Sequence, residues 1–100
     1  MPLIRFTEVD RSDQIVQLEI EGYLTQSTLD DIRRVLTDYA HEEMRQVCVL
    51  MDQLTISNDL VLRQLCQLQS KDTKLIFNTT RLSLYSRMLH WTANIELGGY

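Results

Sequence analysis

The chain has 100 residues, 44% of them apolar and 24% charged, with a formal net charge of −4. These values describe a domain that buries one core. They argue against a disordered chain, which pairs low hydrophobicity with high net charge, and against a nucleic-acid partner, whose phosphates call for clustered positive charge.

The first strand is expected around Leu3, Ile4 and Phe6, with Asp10 to Asp13 as the turn. Ile15 to Glu21 then alternates Val16, Leu18 and Ile20 with Gln17, Glu19 and Glu21, the period of a strand with one buried and one wet face. Together the two make an amino-terminal hairpin. After Gly22 the period changes. Leu29, Ile32, Val35, Leu36 and Tyr39 recur on one helical face, which predicts a helix over about 28–41 with Ser27 and Asp30 as its capping box.

Val47 to Met51 is apolar without alternation and predicts a central strand covered by helices on both faces. The polar segment Thr55 to Asp59 reads as a loop, with Asn58 or Asp59 capping a short helix over about 60–69 that carries Val61, Leu62, Leu65, Cys66 and Leu68. Thr73 to Phe77 predicts another strand. Leu82, Tyr85, Met88 or Leu89 and Thr92 are spaced for a last helix, and Ile95 with Leu97 for a terminal β-like stretch before a frayed Gly98-Gly99-Tyr100. The expected fold is α/β: a mixed, mostly parallel sheet of four to five strands with an N-terminal hairpin and three to four helices, in a single domain spanning 1–100. Val16, Leu18, Ile20, Leu29, Ile32, Leu36, Val47, Val49, Leu50, Leu65, Ile76 and Leu89 are expected to supply much of the core.

Motifs for chemistry are sparse. His41 and His90 lie far apart in sequence, and His41-Glu42-Glu43 lacks the spacing that brings two histidines onto zinc, so no metal is expected. Glycine stands only at 22, 98 and 99, too few for a phosphate-cradling loop, and no cofactor is expected. Ser57, His90 and Asp52 make a triad on paper, but no nucleophile elbow surrounds the serine. Cys48 and Cys66 sit in apolar runs and read as small buried hydrophobes. Trp91 and Tyr85 read as core or interface residues. Met1 to Glu8 lacks the apolar stretch of a signal peptide and no run of about 18 apolar residues occurs, so no membrane insertion and a cytoplasmic location are expected.

The run Val16 to Thr25, the helix after it, Val47 to Met51 and then Leu54 to Leu62 together resemble a STAS domain, the fold of bacterial anti-sigma factor antagonists. Gly22-Tyr23-Leu24-Thr25 resembles the family's G-x-[LI]-D landmark, with Thr25 where the acid is usual, and Leu89 to Ala93 resembles its closing L-x-x-x-G segment. Laid without gaps on V-x-F-[IM]-D-S-[ST]-G-L, Leu54 to Leu62 places Asn58 at the aspartate, Asp59 at the serine that kinases phosphorylate, Leu60 at the next hydroxyl residue and Val61 at the glycine. The resemblance implies a non-enzymatic protein-interaction module lacking the usual phosphorylatable serine. Its partner would be an anti-sigma factor or a related kinase-like protein, docking on Thr55, Ser57, Asn58, Asp59, Leu60 and Leu62. Ser57 becomes the candidate phosphorylation site under a shifted alignment. The rival reading is a small cytoplasmic α/β enzyme or small-ligand-binding protein, and the broad apolar stripe of the 60–69 helix leaves a homo-oligomer open.

Overall fold

The structure, a computed structural model, describes residues 4–98. Leu3, expected in the first strand, and Gly99 and Tyr100, expected in the frayed end, lie outside the described residues. The elements in chain order are β1 (Ile4–Arg11), β2 (Ile15–Leu24), α1 (Gln26–His41), β3 (Gln46–Leu50), β4 (Leu54–Ile56), α2 (Asp59–Cys66), β5 (Lys74–Thr79), α3 (Leu82–Met88) and β6 (Ile95–Leu97). They form one six-stranded sheet in the order β1-β2-β3-β5-β6, with β4 paired to β2 off that path. Among the described residues only the β1–β2 pair is antiparallel; β2–β3, β2–β4, β3–β5 and β5–β6 are parallel. The mixed, mostly parallel α/β architecture expected from the sequence is what the chain forms.

The hairpin is longer than local propensity suggests. β1 runs on through Glu8, Asp10 and Arg11, because pairing with β2 supplies the backbone hydrogen bonds that these polar residues would otherwise seek in a turn. A register shift between Glu8 and Asp10 marks a bulge at Val9, a device that kinks an edge strand and blunts it against foreign pairing. The far end of the hairpin is tied to α1. The Tyr39 hydroxyl donates to Glu8 at 2.7 Å, and Arg11 pairs with Glu8 while lying over the Tyr39 ring. Those bonds hold the Glu8 carboxyl below its ordinary pKa, while burial and the facing carboxylate push the Tyr39 phenol up to about 12.

The α1 cap also differs from expectation. Thr25, not Ser27, is the N-cap: its side chain accepts from the Thr28 backbone N–H, and the Thr28 hydroxyl oxygen in return accepts from the Thr25 N–H at 2.8 Å. Thr28 is buried and its hydroxyl also donates to the Tyr23 carbonyl at 2.6 Å, so this capping box is welded to the end of β2. Ser27 and Asp30 are exposed.

One core joins the sheet to all three helices. Val16, Leu18 and Ile20 of β2, Val47 and Val49 of β3, and Leu75 and Phe77 of β5 meet Leu29, Ile32 and Leu36 of α1, Val61, Leu62 and Leu65 of α2, and Leu84 and Met88 of α3. Each fully buried aliphatic side chain contributes roughly 1.5–3 kcal/mol by leaving water. The opposite face departs from the expectation of a strand covered by helices on both sides. The alternate residues there include Gln17 and Glu19 of β2 and Cys48 of β3, and they are half-buried rather than part of that core. Cys48 is therefore a partly exposed sheet residue, unlike Cys66, which is buried and whose thiol burial pushes up to about 12. Of the twelve core residues expected, eleven are buried. The exception is Leu89, which lies beyond the end of α3 and is 47% exposed.

Candidate docking site

The segment after β3 turns at Asp52-Gln53 and then pairs again with β2. Gly22, Tyr23 and Leu24 stand beside Leu54, Thr55 and Ile56, so Thr55, expected in a loop, lies on the short strand β4. Parallel pairing at the end of β2 overrode the polar look of the sequence: Leu54 is buried and Ile56 half-buried, which gives β4 its inward anchors.

Polar side chains fix this segment from three sides. Asp52 accepts from the Thr79 hydroxyl at 2.7 Å, the Thr80 backbone N–H at 3.0 Å and the Thr80 hydroxyl at 2.5 Å, joining the turn after β3 to the end of β5. Partial burial pushes its pKa up, but the hydrogen bonds from Thr80 and Thr79 outweigh it and hold the carboxyl below its ordinary value. The Arg81 guanidinium donates to the carbonyls of Met51 and Leu54 at 3.2 and 3.3 Å. Ser57 is an exposed residue, yet its hydroxyl donates to the Leu24 carbonyl at 2.8 Å, bracing the exit of β4 against β2.

Asn58 then caps α2. Its side-chain oxygen accepts from the Val61 backbone N–H at 2.9 Å, and the helix begins at Asp59. Asp59 is exposed at the first helical position and forms an ion pair with Arg87 in the last turn of α3. Arg81 holds the start of α3 to Met51 and Leu54, and Arg87 holds its end to Asp59, so α3 is anchored at both ends to the 51–59 segment.

What this bracing leaves outward is apolar. Leu60 is 64% exposed on α2, Leu82 is 65% exposed on the first turn of α3, and Tyr23 is 56% exposed on β2. Leu62, which the sequence reading placed among the docking residues, belongs to the core: it is fully buried, because two positions along a helix turn a side chain from the outer face to the inner one. Val61, at the position the resemblance gives to glycine, is also buried. The roles of Leu82 and of Arg87 were missed by sequence reasoning. A hydrophobic residue opening a helix and a basic one closing it are each ordinary, and only the tertiary placement of α3 gives them meaning.

Two residues of the paper triad are otherwise engaged: the Ser57 hydroxyl donates to the Leu24 carbonyl and Asp52 accepts from Thr79 and Thr80. Among the described residues no cluster of three or more His, Cys, Asp or Glu is arranged to hold a metal, and no helix is long and apolar enough to cross a membrane. Three depressions, of about 520, 300 and 290 Å³, lie away from this site, around the start of β3 and β5 and the last turns of α1.

The sequence matches no protein-family model and no curated protein. The fold is similar to that of an anti-sigma factor antagonist from Mycobacterium paratuberculosis, at 12% identity and a TM-score of 0.61 over 87% of this chain and 75% of that one. It is also similar to the anti-sigma factor antagonist SpoIIAA in its unphosphorylated form, at 12% identity and a TM-score of 0.64 over 95% of this chain and 89% of that one. The architecture is thus STAS-like, as the residues quoted above implied.

Proposed function

We propose that this STAS-like domain is a non-enzymatic protein-binding module of the anti-sigma factor antagonist type. It uses the end of β4, the start of α2 and the adjoining α3 to dock an anti-sigma factor or a related kinase-like protein in the cytoplasm. The observation that carries the reading is the exposed Leu60 beside Asp59 on a braced helix start. The polar atoms of Asp52, Ser57, Asn58 and Arg81 bond within the chain, and the projecting leucine is left for another surface.

The charge at position 59 deepens the reading. A phosphoserine carries about −1.5 to −2 and three acceptor oxygens. Asp59 carries a single charge, and Arg87 pairs with it. The loop therefore presents a face closer to an unmodified serine than to a phosphorylated one, which favours constitutive binding without a reversible switch at this position. Ser57 is the only hydroxyl between β4 and α2, and phosphorylating it would remove its bond to Leu24 and set new charge beside Asp59.

The test starts from proteins captured on this domain from its native cells, whose affinities are then measured with Leu60→Ala and Asp59→Arg. Both variants are expected to weaken the same partner, by about tenfold or more for a residue at the centre of an interface. Unchanged affinity in both would remove this loop from the interface. Intact-mass measurement with fragment mapping over residues 52–66 is expected to find the loop unmodified. Phosphate on Ser57 together with weaker binding would replace the constitutive reading with a switch.

A further inference from the structure

We propose that the end of the sheet opposite the docking loop binds a small polyanion, in the depression of about 520 Å³ at the start of β3 and β5. The chain is acidic overall, with a net charge of −4, yet both of its lysines, Lys71 and Lys74, line this one depression together with Arg45. Asp72 is the acid among them.

Elsewhere most of the arginines have partners, Arg63 on α2 being the exception among the described residues. Arg5, Arg11, Arg33, Arg34 and Arg87 pair with carboxylates, and Arg81 donates to backbone carbonyls. Among the described residues, Arg45, Lys71 and Lys74 have no carboxylate within the 4.0 Å of an ion pair. Gathering like charges on one surface is unfavourable, and a bound anion converts that repulsion into attraction.

The backbone at Arg45 and Lys74 is fixed. The Arg45 N–H donates to the Gln14 carbonyl and the Lys74 N–H to the Arg45 carbonyl, each at 2.8 Å. The buried Thr73, between the two lysines, sends its hydroxyl to the Met44 carbonyl at 2.6 Å. Arg45 and Lys74 are thus presented from a braced strand end, Lys71 stands in the segment leading into it, and Ser70 and Asn94 stand in the same lining as neutral hydrogen-bonding groups. The volume is that of a small-molecule site. In an open, hydrated depression each charge contact is worth only about 1 kcal/mol, so a ligand that bridges several cations binds where a monoanion does not. Phosphate esters and polycarboxylates share that chemistry. The site lies apart from the docking surface and stands independently of it.

The experiment titrates the full chain with inorganic pyrophosphate at low ionic strength, by calorimetry and by amide chemical shifts, with citrate as a second arm. Saturable pyrophosphate binding with a Kd of about 1 mM or tighter is expected, with shifts centred on residues 44–46 and 69–74. Lys71→Gln/Lys74→Gln and, separately, Arg45→Gln are expected to weaken it by about tenfold. Arg63→Gln, which removes an unpaired cation from α2, is expected to leave it unchanged. Tighter binding of pyrophosphate than of citrate assigns phosphate esters, and the reverse assigns polycarboxylates. No saturation by either anion up to about 10 mM, an equal loss in Arg63→Gln, or shifts centred on residues 57–60 would overturn the proposal. Melting of each variant guards against loss of fold, and the exposure of Arg45, Lys71 and Lys74 makes that loss unexpected.

Discussion

At the carboxyl ends of the parallel strands, Asp52, Ser57, Asn58 and Arg81 direct their polar atoms into the chain's own backbone and hydroxyls, and leucines project from what is left. At the amino ends, Arg45, Lys71 and Lys74 line a depression with no carboxylate partner among the described residues. The contrast teaches that one small sheet can carry two kinds of surface. Where polar groups are satisfied internally, the exposed remainder is the apolar surface proposed to meet another protein. Where cations lack carboxylate partners, the surface is the one proposed to take an anion.

The comparison is broken most sharply at the loop end, where structural and exposed leucines lie two residues apart. Leu62→Ala is expected to lose roughly 2–5 kcal/mol through lost transfer energy and a cavity, while Leu60→Ala stays within about 0.5 kcal/mol of the parent. Denaturant melts decide it, and similar losses in the two would mean that α2 is rotated from the arrangement described.

Next in size is Asp52→Ala, expected to cost about 1–3 kcal/mol because it strips the acceptor from Thr79 and Thr80. The milder Asp52→Asn gives the sign in pH. The wild-type carboxyl has a folded pKa below its ordinary 3.8, so its contribution is present above that value and lost as pH falls through the folded pKa. The stability gap between wild type and Asp52→Asn is therefore expected to be widest near neutral pH and to narrow in acid, in urea melts at about pH 7 and about pH 3. A gap that widens in acid would contradict the assignment.

Smaller still is Arg87→Ala. The pair with Asp59 is solvent-exposed, so its stability cost is expected to be about 0.5 kcal/mol or less. Its effect on partner affinity should be larger than its effect on melting, since it uncovers the charge of Asp59. The smallest effect has the opposite sign: Lys71→Gln/Lys74→Gln should raise stability by about 0.2–0.5 kcal/mol in the absence of anion, by relieving like-charge repulsion. A decrease would show that the lysines are supported by contacts other than a ligand.

How much of this was legible beforehand depended on whether the signal was local. The alternation of Val16, Leu18 and Ile20 and the helical recurrence of Leu29, Ile32 and Leu36 give their elements directly, since period alone sets which side faces the core. β4 was not legible, because three residues cannot show a period and its pairing is decided by a strand 32 residues earlier in sequence. The α1 cap was misplaced by two residues since Ser27, Thr25 and Thr28 are equivalent by type, and only the bond from Thr28 to the Tyr23 carbonyl chooses among them. At the docking loop, Asn58 and Asp59 were readable as cap and first turn, whereas the inward turn of Leu62 required the helix phase. The basic depression was invisible for a different reason. Net charge averages over the whole chain, and Arg45 meets Lys74 only when β3 and β5 are laid side by side.

Gly22 carries a consequence for how such a chain can drift. Its φ of 132° lies where a side chain is strained, its N–H donates to the Gln53 carbonyl, and in register it stands between Ile4 on β1 and Leu54 on β4. Leu60, Asp59 and Leu82 lie on the surface and can be exchanged over generations without disturbing the sheet, so under the docking proposal partner choice is free to wander. Gly22 has no such freedom, because a side chain there strains the backbone at the point where β2 carries both β1 and β4. Divergent descendants of this sequence should therefore vary freely at the proposed docking face while keeping this one small residue, a conservation set by the backbone of the scaffold and not by the chemistry of any partner.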